Sequence, residues 1–305
     1  MQEAQSKATS VGVDIGGTKT KMACLDESGP EVFFHEPTPQ SPDDALRMLI
    51  AGLKDAELPA PLGAVGIGCP GPLDQEAGIV HSPPNLPGWD SFALGDSLAE
   101  ALGVPVKLEN DANCGALGEA VHGAARDYDR VFYMTISTGL GTGIVFNRKV
   151  YRGAFGLAGD IWAYNPASLA DAPRGNNLTE LASGNGLIHQ VQRLVAGGRN
   201  TSIPAADITT HTILSAFESG DELGIEVVEN ARHVLAGTIC FVLHLLAPDI
   251  VTLAGGLCTD PKWFVDPVTK LVHEEVGIEK LKEIPIQRAE LWDDAVLYGA
   301  LSLFP

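Results

Sequence analysis

Positive charge is what this chain has least of: 20 Lys and Arg stand against 39 Asp and Glu, a formal net charge of −19 in 305 residues. Such a field repels nucleic acid and anionic membrane, so neither is an expected partner; by itself it favours only solubility. Cysteine is scarce as well. The five thiols, Cys24, Cys69, Cys114, Cys240 and Cys258, are an odd number with no Cys-x-x-Cys pair. That leaves neither a disulfide framework nor a zinc knuckle and reads as reduced core thiols of a cytoplasmic protein. The histidines, His81 and His122 among them, have no metal spacing and read as structural or exposed. Long hydrophobic runs are missing too. The greatest, Val234 to Ala247, is 14 residues with His244 inside, short of the ~18 that suggest a membrane span and suited to a buried core helix. Met1 to Ser10 is polar, with no apolar stretch, so it reads as a disordered tail without a signal peptide. Neither a Walker loop nor a GxGxxG turn occurs, which argues against both of those nucleotide-binding modes.

Apolar residues make up 45% of the chain and charged residues only 19%, enough for full cores in a globular protein of about two domains. The chain is organised around Val11 to Lys21, where an apolar strand runs into Asp14 and a glycine pair. Gly16 and Gly17 can take φ > 0 and carry no Cβ, so a turn there can present bare N–H groups and the Thr18 hydroxyl to an anion. Asp14 stands where a Mg²⁺ held by phosphate oxygens needs a carboxylate. The device recurs at Thr135 to Phe146, a strand, a turn through Thr138, Gly139, Gly141 and Gly143, and a second strand. A third glycine element, Gly255-Gly256, follows the apolar run Ile250 to Ala254 and lets the backbone approach a nucleotide base or ribose.

Pattern and turn residues predict strands at Val11 to Asp14, Thr20 to Asp26 and Glu31 to His35, turned at Ser28-Gly29-Pro30 and pairing antiparallel. A helix capped by Ser41 follows, with Ala45, Leu46, Leu49, Ile50 and Leu53 as its buried stripe. Then come a strand over Gly63 to Cys69, a helix over Phe92 to Leu102, a strand over Val104 to Leu108 and a helix from Asp111. A second such unit starts at Val131, with strands to Ser137, over Gly143 to Asn147 and over Lys149 to Tyr151. Gly153 to Asn177 has no periodicity and reads as loops. Helical patterns follow at Leu178 to Val195, Leu223 to Ala247, Pro261 to Val276 and Asp293 to Leu303, with strands at Ile250 to Ala254 and Ile284 to Ala289.

Between the halves lies Lys107-Leu-Glu-Asn-Asp-Ala-Asn-Cys114, a strand end running into a helix start. Asn and Asp are favoured helix caps, yet a cap uses one such residue, and three polar residues fall within Asn110 to Asn113. A carboxylate there can accept a proton from an attacking hydroxyl. With this segment the chain resembles the ROK family of sugar kinases. The resemblance is carried by Asp14-Ile-Gly-Gly-Thr-Lys19, Gly68-Cys-Pro-Gly-Pro-Leu-Asp74, Pro84-Asn-Leu-Pro-Gly-Trp89, Glu109-Asn-Asp-Ala-Asn113, Ser137-Thr-Gly-Leu-Gly-Thr-Gly143, Ala254-Gly-Gly256 and Asp293-Asp-Ala295. It implies an α/β protein of the actin-like ATPase fold, two ribonuclease-H-like domains with an interdomain cleft, and ATP-dependent phosphorylation of a hexose or hexose derivative. Asp111 is then the general base and Asn110 a sugar contact, with Gly71 and Asn85 lining the sugar pocket. Asp14, Gly16, Gly17, Thr18 and Lys19 form one phosphate loop, Thr138 and Gly139 the other, and Gly255 and Gly256 the adenosine site, with ATP and Mg²⁺ as cofactors. The expected division is 1–112 for a smaller domain, 113–290 for a larger one, and 291–305 for a helix packing back on the smaller. A homodimer is admitted, not demanded.

The departures are local. Where the family has Glu-Ile-Gly-His, this chain has Asp160-Ile-Trp-Ala163, so the sugar-contacting carboxylate is shortened to Asp160 and the imidazole is lost at Ala163. The family's zinc-binding cysteine run is replaced by a stretch through Pro173 to Glu180 with no cysteine, so no structural zinc is expected. Glu180 keeps the register of the last sugar-binding carboxylate and equally suits the first turn of a helix. Two alternatives remain, a sugar-binding regulator and a catalytically degenerate kinase-like protein. The family's regulators carry a helix-turn-helix before the kinase-like part, and only ten residues precede the first strand here.

Overall fold

The computed structural model describes residues 8–26, 29–166 and 177–304; the first part of the expected tail, Ser28 of the expected turn and residues 173–176 of the cysteine-free stretch lie outside them. Contact density groups the chain into one unit of residues 1–127, 143–158 and 293–305 and a second of 128–142 and 159–292. The expected division at 112 and 290 follows the ligand each segment would serve, whereas the compact units assign residues 113–127, 143–158 and 291–292 differently.

The first unit is built on β1 (Thr9–Ile15), β2 (Lys19–Asp26) and β3 (Gly29–Pro37), a meander whose neighbours pair antiparallel as the pattern predicts. Helix α1 (Pro42–Asp55) starts where expected: Ser41 Oγ accepts the Asp44 N–H at 3.3 Å and Pro42 takes the first turn, where its missing N–H costs nothing. Of the expected stripe, Ala45, Leu49 and Leu53 are buried, while Leu46 and Ile50 pack at the margin of the core. Strand β4 (Leu62–Cys69), the hairpin β5 (Leu73–Asp74) and β6 (Ile79–Val80), helix α2 (Leu94–Leu102), β7 (Val106–Asn110) and α3 (Asp111–Val121) follow. The five-stranded sheet has the order β3-β2-β1-β4-β7, with β1, β4 and β7 parallel. That arrangement brings the C-terminal ends of β1 and β7 to the same sheet edge, where Asp14 and Asn110 lie in register with Gly68 and Cys69 of β4.

Beyond α3 come β8 (Arg130–Ile136), β9 (Leu140–Phe146) and β10 (Lys149–Val150), then α4 (Leu178–Ala182), α5 (Gly184–Ala196), α6 (Thr210–Glu218), α7 (Glu222–Leu246), β11 (Ile250–Ala254), α8 (Val265–Glu275), β12 (Ile286–Arg288) and α9 (Ala295–Leu301). The second sheet has the order β10-β9-β8-β11-β12, with β8, β11 and β12 parallel. The helix expected over Leu178 to Val195 is two helices, because Ser183 is extended and its Oγ caps the next segment through the Gly186 N–H at 3.1 Å. Helix α6 has no counterpart in the predicted pattern. Its start is a capping box between Thr209 and Thr212, and only three of its residues are buried, too few to mark a period. Helix α7 buries Leu235, Ile239 and Val242, yet Phe241 and Leu245 face solvent, so the apolar run is amphipathic rather than wholly buried. No helix among the described residues is long and apolar enough to cross a membrane.

Helix α9 belongs to the first unit and packs on α3 with the two backbones in contact. A Cβ on Gly118 would lie 2.3 Å from the Ala295 carbonyl oxygen. Two glycines at the crossing, Gly118 and Gly299, remove the side chains that would separate the helices.

Candidate active site

The turn from β7 into α3 divides its polar residues among different tasks. Asn110 is extended and its Oδ1 accepts the N–H groups of Ala112 and Asn113 at 2.9 and 3.4 Å, so it is the helix cap. Asn113 Nδ2 donates to Glu109 Oε1 at 2.9 Å. Asp111 supplies the carboxylate of the trio. Its Oδ1 accepts the Ala112 N–H at 2.8 Å, and the side chain is partly exposed. A carboxylate has about four acceptor positions, so this bond is compatible with taking a proton. The Nδ2 of Asn110 faces Gly71: a Cβ there would sit 3.2 Å from it.

Asp14, at the end of β1, lies within electrostatic reach of Asp111. Its carboxyl is pushed up to about 7, first by burial and then by the Asp111 charge, with Asp294 and Asp293 adding and Lys21 opposing. The buried thiols of Cys69 and Cys114 are raised chiefly by burial, and the same two aspartates add to it. After β1 the Gly16 N–H donates to the Lys19 carbonyl at 2.9 Å, and Thr38 holds the turn from outside through the Gly16 carbonyl at 2.7 Å. Thr18 and Lys19 are exposed on it. Neither Gly16 nor Gly17 takes the positive φ expected of them. Space is the constraint instead: a Cβ on Gly17 would lie 2.8 Å from Asn85 Cβ, so the first turn and Asn85 meet.

The second unit contains its own turn and a cavity of about 320 Å³, lined by Thr138, Asn185, Thr210, His211, Gly256 and Trp263 among others. The start of α5 holds the turn: the Gly184 and Asn185 N–H groups donate to the carbonyls of Ser137 and Thr138 at 2.7 and 3.1 Å. Thr138 and Gly256 thus line one cavity, while Gly139 and Gly255 are not among its lining. Gly255 has φ +89°, and a Cβ on it would be 2.4 Å from the Ile136 carbonyl oxygen, so it is there to let β11 turn against β8. Sequence reasoning misses Thr210, His211 and Trp263. The first two ride on α6, which the pattern does not predict; Trp263 is fixed by its Nε1 donating to Glu218 at 3.0 Å and by Arg232 on its carbonyl at 2.7 Å. The Thr-Thr-His-Thr run at 209–212 is the one available signal.

Asp160 and Glu180 also belong to the second unit. Burial raises the Asp160 carboxyl, and a hydrogen bond from the Trp162 side chain opposes it. Glu180 forms a capping box with Asn177, its Oε2 accepting the Asn177 N–H at 3.1 Å. Among the described residues no three His, Cys, Asp or Glu side chains converge on a common metal site. A magnesium ion makes a smaller demand, one carboxylate beside phosphate oxygens and water. Asp14 fits that demand, since its neighbours leave an anionic surplus that a cation would relieve.

A family model described as the ROK family matches residues 10–305. The N-acetyl-D-glucosamine kinase of Histophilus somni is 30% identical over 96% of this chain and 98% of its own. The glucokinase of Halalkalibacterium halodurans is 28% identical over 95% and 92%. Among solved structures, a ROK family glucokinase from Streptomyces griseus in complex with glucose and AMPPNP is 27% identical over 97% of this chain and 99% of its own, with a TM-score of 0.77.

Proposed function

The chain belongs to the ROK family, and from that premise we propose that it is an ATP-dependent kinase of a hexose or hexose derivative with Asp111 as general base. The observation that carries the reading is the β7–α3 turn, where Asn110 caps the helix, Asn113 anchors it to Glu109 and the Asp111 carboxylate lies within electrostatic reach of Asp14. In the reaction the sugar hydroxyl gives its proton to Asp111 while its oxygen bonds to the γ-phosphorus, and the bond from that phosphorus to the β–γ bridging oxygen breaks to release ADP. Asn110, Gly71 and Asn85 from the smaller domain (1–112), with Asp160 and Glu180 from the larger (113–290), hold the sugar. The nucleotide is bound by the segment Asp14, Gly16, Gly17, Thr18 and Lys19, by Thr138 and Gly139, and by Gly255 and Gly256, with Thr210, His211 and Trp263 around the base. Asp14 would hold Mg²⁺, which when bound neutralises charge on the phosphates. Reduced thiols and ATP dependence suit the cytoplasm.

The sugar is read from the departures. Asp160 in place of Glu and Ala163 in place of His remove up to two hydrogen bonds, each worth about 0.5–3 kcal/mol, so glucose is a poor substrate. The test is ADP release over a panel of hexoses and N-acetylhexosamines with the wild type and Asp111→Asn. At least one sugar is turned over, glucose shows no low-micromolar Michaelis constant, and Asp111→Asn lowers turnover about 10²–10⁴-fold with the melting temperature nearly unchanged. A variant keeping more than a few tenths of the turnover would remove Asp111 as the base.

A further inference from the structure

Arg152 belongs to none of the motifs named so far. Its Nε donates to Glu109 Oε2 at 2.7 Å, and that glutamate side chain is fully buried. The other carboxylate oxygen, Oε1, accepts the Asn110 backbone N–H at 3.0 Å and Asn113 Nδ2 at 2.9 Å. These two donors bracket Asp111. A buried carboxylate holds its charge only with a cation or several donors around it, and hydrogen bonds to the charged form are the stronger kind. Arg152 is the cation here; with it in place, Glu109 grips both sides of the turn.

Stability alone is a weak reason for such a pair. Replacing a buried ion pair by apolar residues of similar volume is often neutral or stabilising, whereas removing one partner strands the other. The Arg152 side chain is also 45% exposed, so it does little as packing. It stands at the head of a chain turn in which Ala158 N–H donates to the Arg152 carbonyl at 2.9 Å, and Gly153 and Gly156 take φ of +61° and +74°. A Cβ on Gly156 would strike the Gln75 side chain at 2.3 Å, so the turn is seated in the first unit.

We propose that Arg152 is a positioning residue for phosphoryl transfer, fixing through Glu109 the turn from which Asp111 takes the hydroxyl proton. The inference rests on Asp111 as the base. Misplacing a reacting group by about 1 Å can cost ~10² in rate, so the effect is read in kcat.

The experiment compares Arg152→Ala, Arg152→Lys, the double variant Glu109→Gln/Arg152→Ala and Asp111→Asn. Arg152→Ala lowers kcat about 10–100-fold with KM for ATP within about twofold of wild type. Lysine restores part of the rate, since it returns the charge without the planar fork. Millimolar guanidinium, reaching the half-exposed site, accelerates Arg152→Ala while urea does not. The double variant carries no unpaired buried charge, so it keeps the wild-type melting temperature; it stays slow, and guanidinium leaves it unchanged. The proposal is overturned by an Arg152→Ala kcat within about twofold of wild type, by a loss that disappears when rates are expressed per folded molecule, or by a double variant with full rate. An inactive Asp111→Asn beside a fully active Arg152→Ala overturns the positioning role alone. A fully active Asp111→Asn removes the base, and the positioning role falls with it.

Discussion

At the scale of single residues the candidate site gathers carboxylates around a buried Asp14. Asp14 is raised to about 7, from 3.8, by burial first and the Asp111 charge second. A carboxyl raised in the folded state binds its proton more tightly there than in the unfolded chain. Between pH ~4 and ~7 the folded form therefore carries the extra proton, and stability falls as pH rises through that window. In metal-free buffer Asp14→Asn stabilises the fold at pH 8 by an amount on the order of a few kcal/mol, read as a raised melting temperature, and the advantage vanishes near pH ~4. Equal melting curves at pH 8 would mean that Asp14 is not held in a destabilised charged form. The neighbouring constraint is steric. Gly17→Ala puts a methyl 2.8 Å from Asn85 Cβ and 3.0 Å from its carbonyl oxygen. Overpacking of this kind costs about 1–3 kcal/mol, so thermal denaturation shows a loss of that size, and the sugar KM rises as Asn85 is displaced.

At the scale of elements the second unit depends on a broken helix. A continuous helix from Leu178 to Val195 would leave Gly184 and Asn185 bonding within their own helix; the break at Ser183 turns their N–H groups onto the Ser137 and Thr138 carbonyls. Ser183 is fully buried and caps α5. Ser183→Ala removes about 1 kcal/mol of capping and frees the turn, so KM for ATP rises while KM for the sugar stays. Equal shifts in both constants would place the effect elsewhere. The sequence pattern here is readable as helix but not as two helices, because an extended serine leaves the apolar period almost undisturbed.

At the scale of the whole molecule the family's actin-like fold is kept without the cysteine run that the resemblance assigns to zinc. Residues 153–180 contain neither cysteine nor histidine, so protein purified in metal-free buffer carries no stoichiometric zinc by elemental analysis. Zinc present one to one and lost on unfolding would place ligands elsewhere in the chain. The excess of 39 acidic over 20 basic residues bears on the proposed chemistry around Asp14, where Asp111, Asp293 and Asp294 add their charge.

The sequence by itself determined the three-stranded meander, the cap at Ser41, most of the sheet strands and the family, but neither the β5–β6 hairpin nor α6. These depend on neighbours in the chain: alternation, caps and glycine pairs act over a few residues and leave their mark in short motifs. It also singled out Asp111. Only the tertiary structure decided what holds the turn around it. Glu109 reads as an ordinary strand residue until Arg152, 43 positions away, is seen on its carboxylate. Likewise Trp263 and Thr210 line one cavity from segments that share no local pattern, and Gly17 is glycine because of Asn85 rather than because of its own φ. Contacts of this range are set by how strands and helices are layered, and no periodicity along the chain encodes them.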